Sequence, residues 1–387
     1  ILIIVFIKDK LNSLDSILPI IFECNKKYRS KILIVASNKK TYIGIKDNIV
    51  MMDMINNIGS IIYLGFGTKN KLSRKISVVK KIIYFFGMGL LNSKFIHFGH
   101  LDVFPYNVLG LFFKRNVYLV AATPHEHYFE KIILNGDPLT AGKNVDKIDR
   151  PKPLGDNFIC FNENSFIGLH RYINNLKIYN VGNIRISGAW NNFIRETTPS
   201  YVLKNHPKIN NKDKVISFML GGFFGNTVPG IIDERTQHRL FEDVLKTLDT
   251  YCDYKVLIKP HVFTDIEYVK KTLLKYGKKF EITYLHPAIL ANISDIFICI
   301  NYSTTMAEGK KYGVTTIEYS KYIQEELDVT GYRSKGAPHI DYFIQNDIQK
   351  LESVVKFNCG KNNIYINTIK HADGYVDESG LIYSLCH

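Results

Sequence analysis

The sequence predicts an α/β protein built from two doubly wound, parallel-sheet domains. Two observations carry this. Short β-rich apolar runs recur along the 387 residues, and helical patterns with short joints separate them. A polar stretch over 197–214, with two prolines and many Asn and Lys, then divides the runs into two sets and reads as a linker.

In the first set, residues 1–7 (ILIIVFI) form a strand that is too short for a membrane span. Residues 11–28 form a helix with Leu14, Ile17, Leu18, Ile21 and Phe22 on one face, and 31–36 form the next strand. Residues 61–65 are a strand leading into Gly65-Phe66-Gly67-Thr68, a lone G-x-G that reads as a turn. A basic then apolar segment spans 71–91. Strands follow at 95–98, ending in Gly99-His100-Leu101-Asp102, and at 116–121, ending in Thr123-Pro124-His125-Glu126-His127, with a helix at 108–113 between them. The polar stretch 135–157 is long for a loop within a compact domain. Strands at 158–161, with a helix after it, and 177–181 complete a first domain of residues 1–195.

The second domain, 213–357, opens with a strand at 215–220 that exits through Gly221-Gly222-Phe223-Phe224-Gly225-Asn226, followed by a helix at 238–251. Strands at 255–258, 281–285, 296–300 and 315–319 alternate with helices. Ile266, Val269, Leu273 and Tyr276 mark one helix, which Gly277 stops. Another spans 287–293, and a third, 305–312, ends at Gly313. Beyond 319 the sequence reads as loops and helices, and 358–387 is a tail expected to pack back on the first domain.

Open parallel sheets bind ligands at the carboxyl ends of their strands. In the second domain those ends are Lys259-Pro260-His261, His286-Pro287 and Asn301-Tyr302-Ser303-Thr304-Thr305. The last turn opens a helix, so a phosphate is its expected guest. Thr305 and Glu308 also fit a capping box, which leaves Glu308 open between a cap and an acceptor for a ligand hydroxyl.

These residues resemble the nucleotide-binding half of GT-B glycosyltransferases, above all bacterial enzymes of capsule and lipopolysaccharide synthesis. CDP-glycerol glycerophosphotransferases, bacterial polysialyltransferases and UDP-N-acetylglucosamine 2-epimerases are similar. Such families carry a Pro-His after a strand, a Ser/Thr- or Gly-rich turn before a helix, and a Gly-Val/Lys-Pro step into a strand. Here they are Pro260-His261, Ser303-Thr304-Thr305 and Gly313-Val314, with Thr315 where proline is common. Gly182-Asn183-Ile184-Arg185 resembles a Gly-Asn-Pro-Arg turn of the same enzymes, with Ile184 in place of proline.

The resemblance implies two Rossmann-like domains facing across a cleft, with the nucleotide-sugar donor held by Gly221, Gly222, Asn226, Lys259, His261, His286, Ser303, Thr304, Thr305 and Glu308. It implies a transferase moving a sugar to a glycan or lipid-linked acceptor. Cytidine donors (CMP or CDP) are slightly favoured over UDP. No Asp-x-Asp occurs, so departing phosphate would be stabilised by fixed positive charge rather than by a metal, and no cofactor is expected. A general base from the first domain is expected among His100, Asp102, His125, Glu126 and His127. Two alternatives stay open. One is a sugar-nucleotide epimerase or hydrolase of the same fold, although His170-Arg171 is followed by Tyr-Ile-Asn rather than completing the epimerases' His-Arg-x-Glu-Asn motif. The other is a non-catalytic nucleotide- or membrane-binding module.

Charge adds a partner. Residues 1–195 hold 27 of the 50 Lys and Arg but 13 of the 36 Asp and Glu, so the whole excess of +14 lies there. No acid occurs between Asp53 and Asp102, whereas Lys69, Lys71, Arg74, Lys75, Lys80 and Lys81 precede an apolar run. This predicts docking on an anionic membrane surface through the first domain. The competing expectation is a core helix that hides Phe85, Phe86 and Leu90. No nucleic-acid motif accompanies the basic balance. Six scattered cysteines without C-x-x-C fit a reduced, cytoplasmic protein, and the basic segment adds the expectation of a peripheral place on the inner face of the plasma membrane.

Overall fold

Apolar runs that are buried on both faces need helices on both sides of a sheet, and two such sheets form. The computed structural model describes residues 1–7, 11–64, 71–99, 106–121, 154–161, 173–182, 188–210, 213–220, 233–261, 264–277, 279–360 and 378–387. The chain divides into two compact units.

The first unit holds strands β1 (Leu2–Ile7), β2 (Lys31–Ala36), β3 (Gly59–Tyr63), β4 (Lys94–His97), β5 (Val117–Val120), β6 (Asn157–Cys160) and β7 (Lys177–Asn180). They are ordered β3-β2-β1-β4-β5-β6-β7, and every pairing is parallel. Helices α1 (Leu11–Tyr28), α2 (Lys39–Asp47), α3 (Ile49–Ile58), α4 (Lys71–Leu90) and α5 (Asn107–Phe112) connect the first five strands. The ring of Phe6 meets Phe85 of α4 edge-on at 5.2 Å. Gly59 begins β3 because a Cβ there would sit 1.8 Å from the Ile32 carbonyl oxygen of β2.

Helix α6 (Gly188–Asn205) precedes the second sheet. That sheet contains β8 (Val215–Met219), β9 (Lys255–Lys259), β10 (Phe280–Ile282), β11 (Ile296–Ile300), β12 (Thr315–Ser320) and β13 (Tyr342–Gln345). The order is β10-β9-β8-β11-β12-β13, again all parallel. Helices α7 (Glu234–Tyr251), α8 (Ile266–Leu273), α9 (Pro287–Ile293), α10 (Met306–Lys311), α11 (Gln324–Thr330) and α12 (Ile348–Gly360) wrap it. An apolar cluster fills its core, with Phe218 of β8 stacked on Phe241 of α7 at 5.7 Å. Helix α13 (Glu378–Cys386) belongs to the first unit, where it packs on α1 and where Ser384 bonds Tyr118 and Tyr179.

Both sheets share one logic. The chain lays down three strands outward in one direction, returns to the first, and continues the other way. The reversal leaves a seam between β1 and β4 in the first sheet and between β8 and β11 in the second. Such a seam is where an open sheet accepts a ligand.

The structure departs from the sequence expectations at several places, and β10 ends at Ile282, three residues before its expected end. Residues 197–205 are not linker but the second half of α6, which runs through Pro199. Proline removes one helical hydrogen bond, but burial of Trp190, Ile194, Tyr201 and Val202 outweighs it. Helices α2 and α3 were missed. Each begins at an asparagine cap, Asn38 accepting from the Thr41 N–H and Asn48 from the Met51 N–H. Strand β13 was also missed. Helix α7 starts at Glu234, earlier than expected, because Asp233 caps it through the Thr236 N–H.

Candidate functional site

Among the described residues, the exits of β9, β10 and β11 on the carboxyl edge of the second sheet carry the polar residues singled out by sequence. Lys259 ends β9, half-buried, with its ammonium 5.9 Å from the centroid of the Tyr284 ring. His261 follows two residues later. Its N–H donates to the Thr264 hydroxyl at 2.8 Å and its carbonyl accepts from the Thr264 N–H at 2.9 Å, which fixes the backbone. Burial, and then the Lys259 ammonium, hold its imidazole below the usual pKa of 6.5. His261 is therefore mostly neutral at pH 7. Fixed positive charge is therefore not expected of His261 in the free protein.

Asn301 leaves β11 in the left-handed region at φ +56°, a backbone position that asparagine tolerates better than most residues. It is buried, and its side-chain oxygen has no hydrogen-bond partner among the described residues. Ser303, Thr304 and Thr305 follow, half-exposed, with the Ser303 and Thr305 hydroxyls 2.8 Å apart. The N–H groups of Met306, Ala307 and Glu308 donate back to the carbonyls of Ser303, Thr304 and Thr305. These three N–H groups are thus spent inside the turn. The hydroxyls of Ser303, Thr304 and Thr305 lie on the same turn.

The capping box is also corrected. Thr305 has helical dihedrals (φ −66°, ψ −17°) and makes no side-chain cap bond. Glu308 is instead buried one turn into α10. Its carboxylate, after burial, pushes up the pKa of Tyr312 on the next turn. Gly313, at φ +77°, ends the helix in a conformation that suits glycine. His286 is buried at the start of α9, and its Nδ1 accepts from the Ala288 N–H at 3.1 Å, so that nitrogen serves as a helix cap.

Sequence reasoning missed the group that holds this turn in place. Glu318, near the end of β12, is fully buried. Its Oε1 accepts from the Ser320 hydroxyl at 2.6 Å and the Tyr322 hydroxyl at 2.7 Å, and its Oε2 accepts from the Ser334 hydroxyl. Ser320 Oγ in turn accepts from the Asn301 N–H at 3.0 Å. The Tyr322 ring lies under the Lys335 ammonium at 4.9 Å and against Phe343 at 5.0 Å. A Cβ on Gly336 would stand 1.8 Å from the Tyr302 ring, so the 334–336 segment braces the same turn. Burial raises the Glu318 pKa above 4.5 even against three donors and Lys335.

A carboxylate–imidazole–hydroxyl series also occurs beside β10. His206 Nδ1 lies 3.0 Å from Glu281 and its Nε2 2.9 Å from Thr283. Thr283 is buried and also accepts from the Leu285 N–H, so this series is structural. Gly221, Gly222 and Asn226 of the donor set lie outside the described residues, as do the base candidates His100, Asp102, His125, Glu126 and His127. Among the described residues no group of three His, Cys, Asp or Glu side chains is placed to hold a metal ion.

The two parallel sheets, their common strand order and the ligand seam define an α/β protein of the GT-B fold. Among solved structures it is similar to UDP-GlcNAc 2-epimerase of Methanocaldococcus jannaschii in complex with UDP-GlcNAc and UDP. That match has a TM-score of 0.55 and 15% identity over 99% of this chain and 98% of the other. The UDP-GlcNAc-bound 2-epimerase of Neisseria meningitidis matches with a TM-score of 0.57 and 13% identity over 100% and 99% of the two chains. UGT89C1 of Arabidopsis thaliana, complexed with UDP, matches with a TM-score of 0.52 and 10% identity over 100% and 98%. No family model and no curated protein matches the sequence.

Proposed function

We propose that the protein is a nucleotide-sugar-dependent glycosyltransferase of bacterial surface-polysaccharide synthesis, acting on a glycan or lipid-linked acceptor. The observation that carries the nucleotide half of this proposal is the gathering of Lys259, His261, Ser303, Thr304, Thr305 and Glu308 along one carboxyl edge, at the seam of the second sheet. Lys259 supplies the charge for the donor phosphates, and His261 with the three hydroxyls supplies hydrogen bonds. Glu308 accepts from the ribose hydroxyls. Each hydrogen bond to a charged phosphate contributes about 1.5–3 kcal/mol, enough for micromolar binding when several act together.

The similar solved structures named above hold UDP or UDP-GlcNAc, and two of them are epimerases, so epimerisation is the second reading. Against it stands the sequence after His170-Arg171, which lacks the acidic residue of the epimerase motif. The Pro260-His261 resemblance favours a cytidine donor, and the solved neighbours favour uridine.

Calorimetry with CMP, CDP, UMP and UDP tests binding and base together. Dissociation constants below about 1 mM for one of these are expected, and no binding to any of them by the folded protein would end the proposal. NMR of the protein with the matching nucleotide sugars then separates the reactions. Slow release of free sugar without acceptor fits a transferase, whereas build-up of a C2-inverted nucleotide sugar would establish the epimerase.

A further inference from the structure

Helix α4 buries one side and leaves a wide apolar stripe on the other. Phe85 is buried against Phe6, and Lys81 is turned inward, where its ammonium bonds the Leu64 carbonyl and burial lowers its pKa. The opposite side exposes Ile76, Val79, Ile83 and Leu90 at helical spacing, with Ile83 at 65% and Leu90 at 70% exposure. The stripe is about 21 Å long at 1.5 Å per residue.

The stripe continues onto neighbouring structure. Phe86 packs on Phe112 at 5.5 Å, and Asn116 donates to Asn92 at 3.0 Å, which brings the end of α4 beside α5. There Leu91, Leu111 and Phe112 are exposed as well, Phe112 at 69%. Soluble surfaces seldom leave so much contiguous apolar area uncovered. The expectation of a core helix is thus met for Phe85 and not for Leu90. No helix among the described residues is long and apolar enough to cross a membrane.

Charge selects the occupant. Lys80, Lys114 and Arg115 are exposed along the stripe and beside Leu111 and Phe112, and Asp156 lines the same hollow as the last two, leaving a local balance of one positive charge there. Lys71, Arg74 and Lys75 belong to the first turns of α4, and no acid occurs from residue 54 to 101. A second copy of the chain would bring the same cations face to face. A bilayer with anionic headgroups would neutralise them and cover the apolar side chains at once. We propose that the α4–α5 face is an interfacial docking surface for an anionic lipid bilayer. It does not rest on the nucleotide assignment, because every residue in it belongs to the first unit.

Sedimentation of the full chain with phosphatidylcholine vesicles, with and without 30 mol% phosphatidylglycerol as a chosen probe, tests it. Binding should require phosphatidylglycerol and weaken about tenfold between 0.1 and 0.5 M salt. A triple change of Ile76, Ile83 and Leu90 to Ser removes exposed side chains only, so folding should survive. It should lower binding about a hundredfold. Changing Lys80 and Lys114 to Glu should lower binding while leaving the apolar stripe intact. Sedimentation velocity of the same samples covers the remaining outcome. Equal affinity for both vesicle types, or no vesicle binding, whether or not a dimer that the triple change dissociates is present, would overturn the assignment.

Discussion

Replacing Glu318 tests whether the candidate site is held from beneath. Its carboxylate receives three hydroxyl hydrogen bonds at zero exposure. Glu318→Ala leaves the hydroxyls of Ser320, Tyr322 and Ser334 facing a dry void. Removing one partner from a buried charged cluster costs about 3–5 kcal/mol, and that loss is expected here. Glu318→Gln keeps the volume and one acceptor oxygen, and rotated hydroxyls can accept from its amide, so about 1 kcal/mol is expected.

The two proteins should also differ in pH dependence. The folded pKa of Glu318 is raised above 4.5, so the folded state holds its proton more tightly than the unfolded chain. Stability from this group is therefore fully present below pH 4.5 and declines as pH rises through the folded pKa. Glu318→Gln does not titrate, so wild type should lose stability relative to it across that window. Urea titrations of both proteins at several pH values measure the difference. A flat difference from pH 4.5 to 8, or an alanine variant as stable as the glutamine one, would refute the reasoning. Because Ser320 links Glu318 to Asn301, the alanine variant should also bind nucleotide more weakly at temperatures where it stays folded.

Other outcomes follow from the same geometry. His261→Asn should weaken nucleotide binding at least tenfold, read by calorimetry, through one lost hydrogen bond to phosphate. Since the free imidazole is mostly neutral and a bound phosphate favours its charged form, wild-type affinity should rise as pH falls from 8 to 6 more steeply than that of His261→Asn. Glu308→Gln should weaken nucleoside diphosphate binding about tenfold yet leave pyrophosphate binding unchanged; equal losses for both would assign Glu308 to the turn rather than to ribose. Deleting residues 378–387 exposes the cavities left by Leu381 and Leu385, both fully buried, and should cost about 4 kcal/mol, with hydrogen exchange rising around Tyr118 and Tyr179 rather than in the second sheet.

Much of the architecture was legible because buried parallel strands are nearly continuous apolar runs. Helices α1 and α9 and strands β2 and β11 fall where their patterns end. Composition misled where tertiary burial decided. In α6, Pro199 and the polar residues suggested a linker, but Trp190 and Tyr201 are needed inside. Strand β13 is a four-residue edge strand, paired only with β12, and YFIQ after a Gly- and Pro-containing loop carries little signal. The polar strand ends were visible in sequence, whereas their bracing was not. Glu318 sits in a strand, TTIEYS, whose alternation suggests an exposed acid, and its partners Tyr322 and Ser334 come from two later segments. Only the fold brings those three hydroxyls to one carboxylate.

The return of α13 to the first unit makes the second unit, in topological terms, an insertion. During synthesis the six strands of the second sheet are all present while the first sheet still lacks the helix that covers Tyr118, Tyr179 and α1. In this topology the second sheet can close before α13 reaches the first. Until residues 378–386 leave the ribosome, the side of α1 that α13 covers stays open.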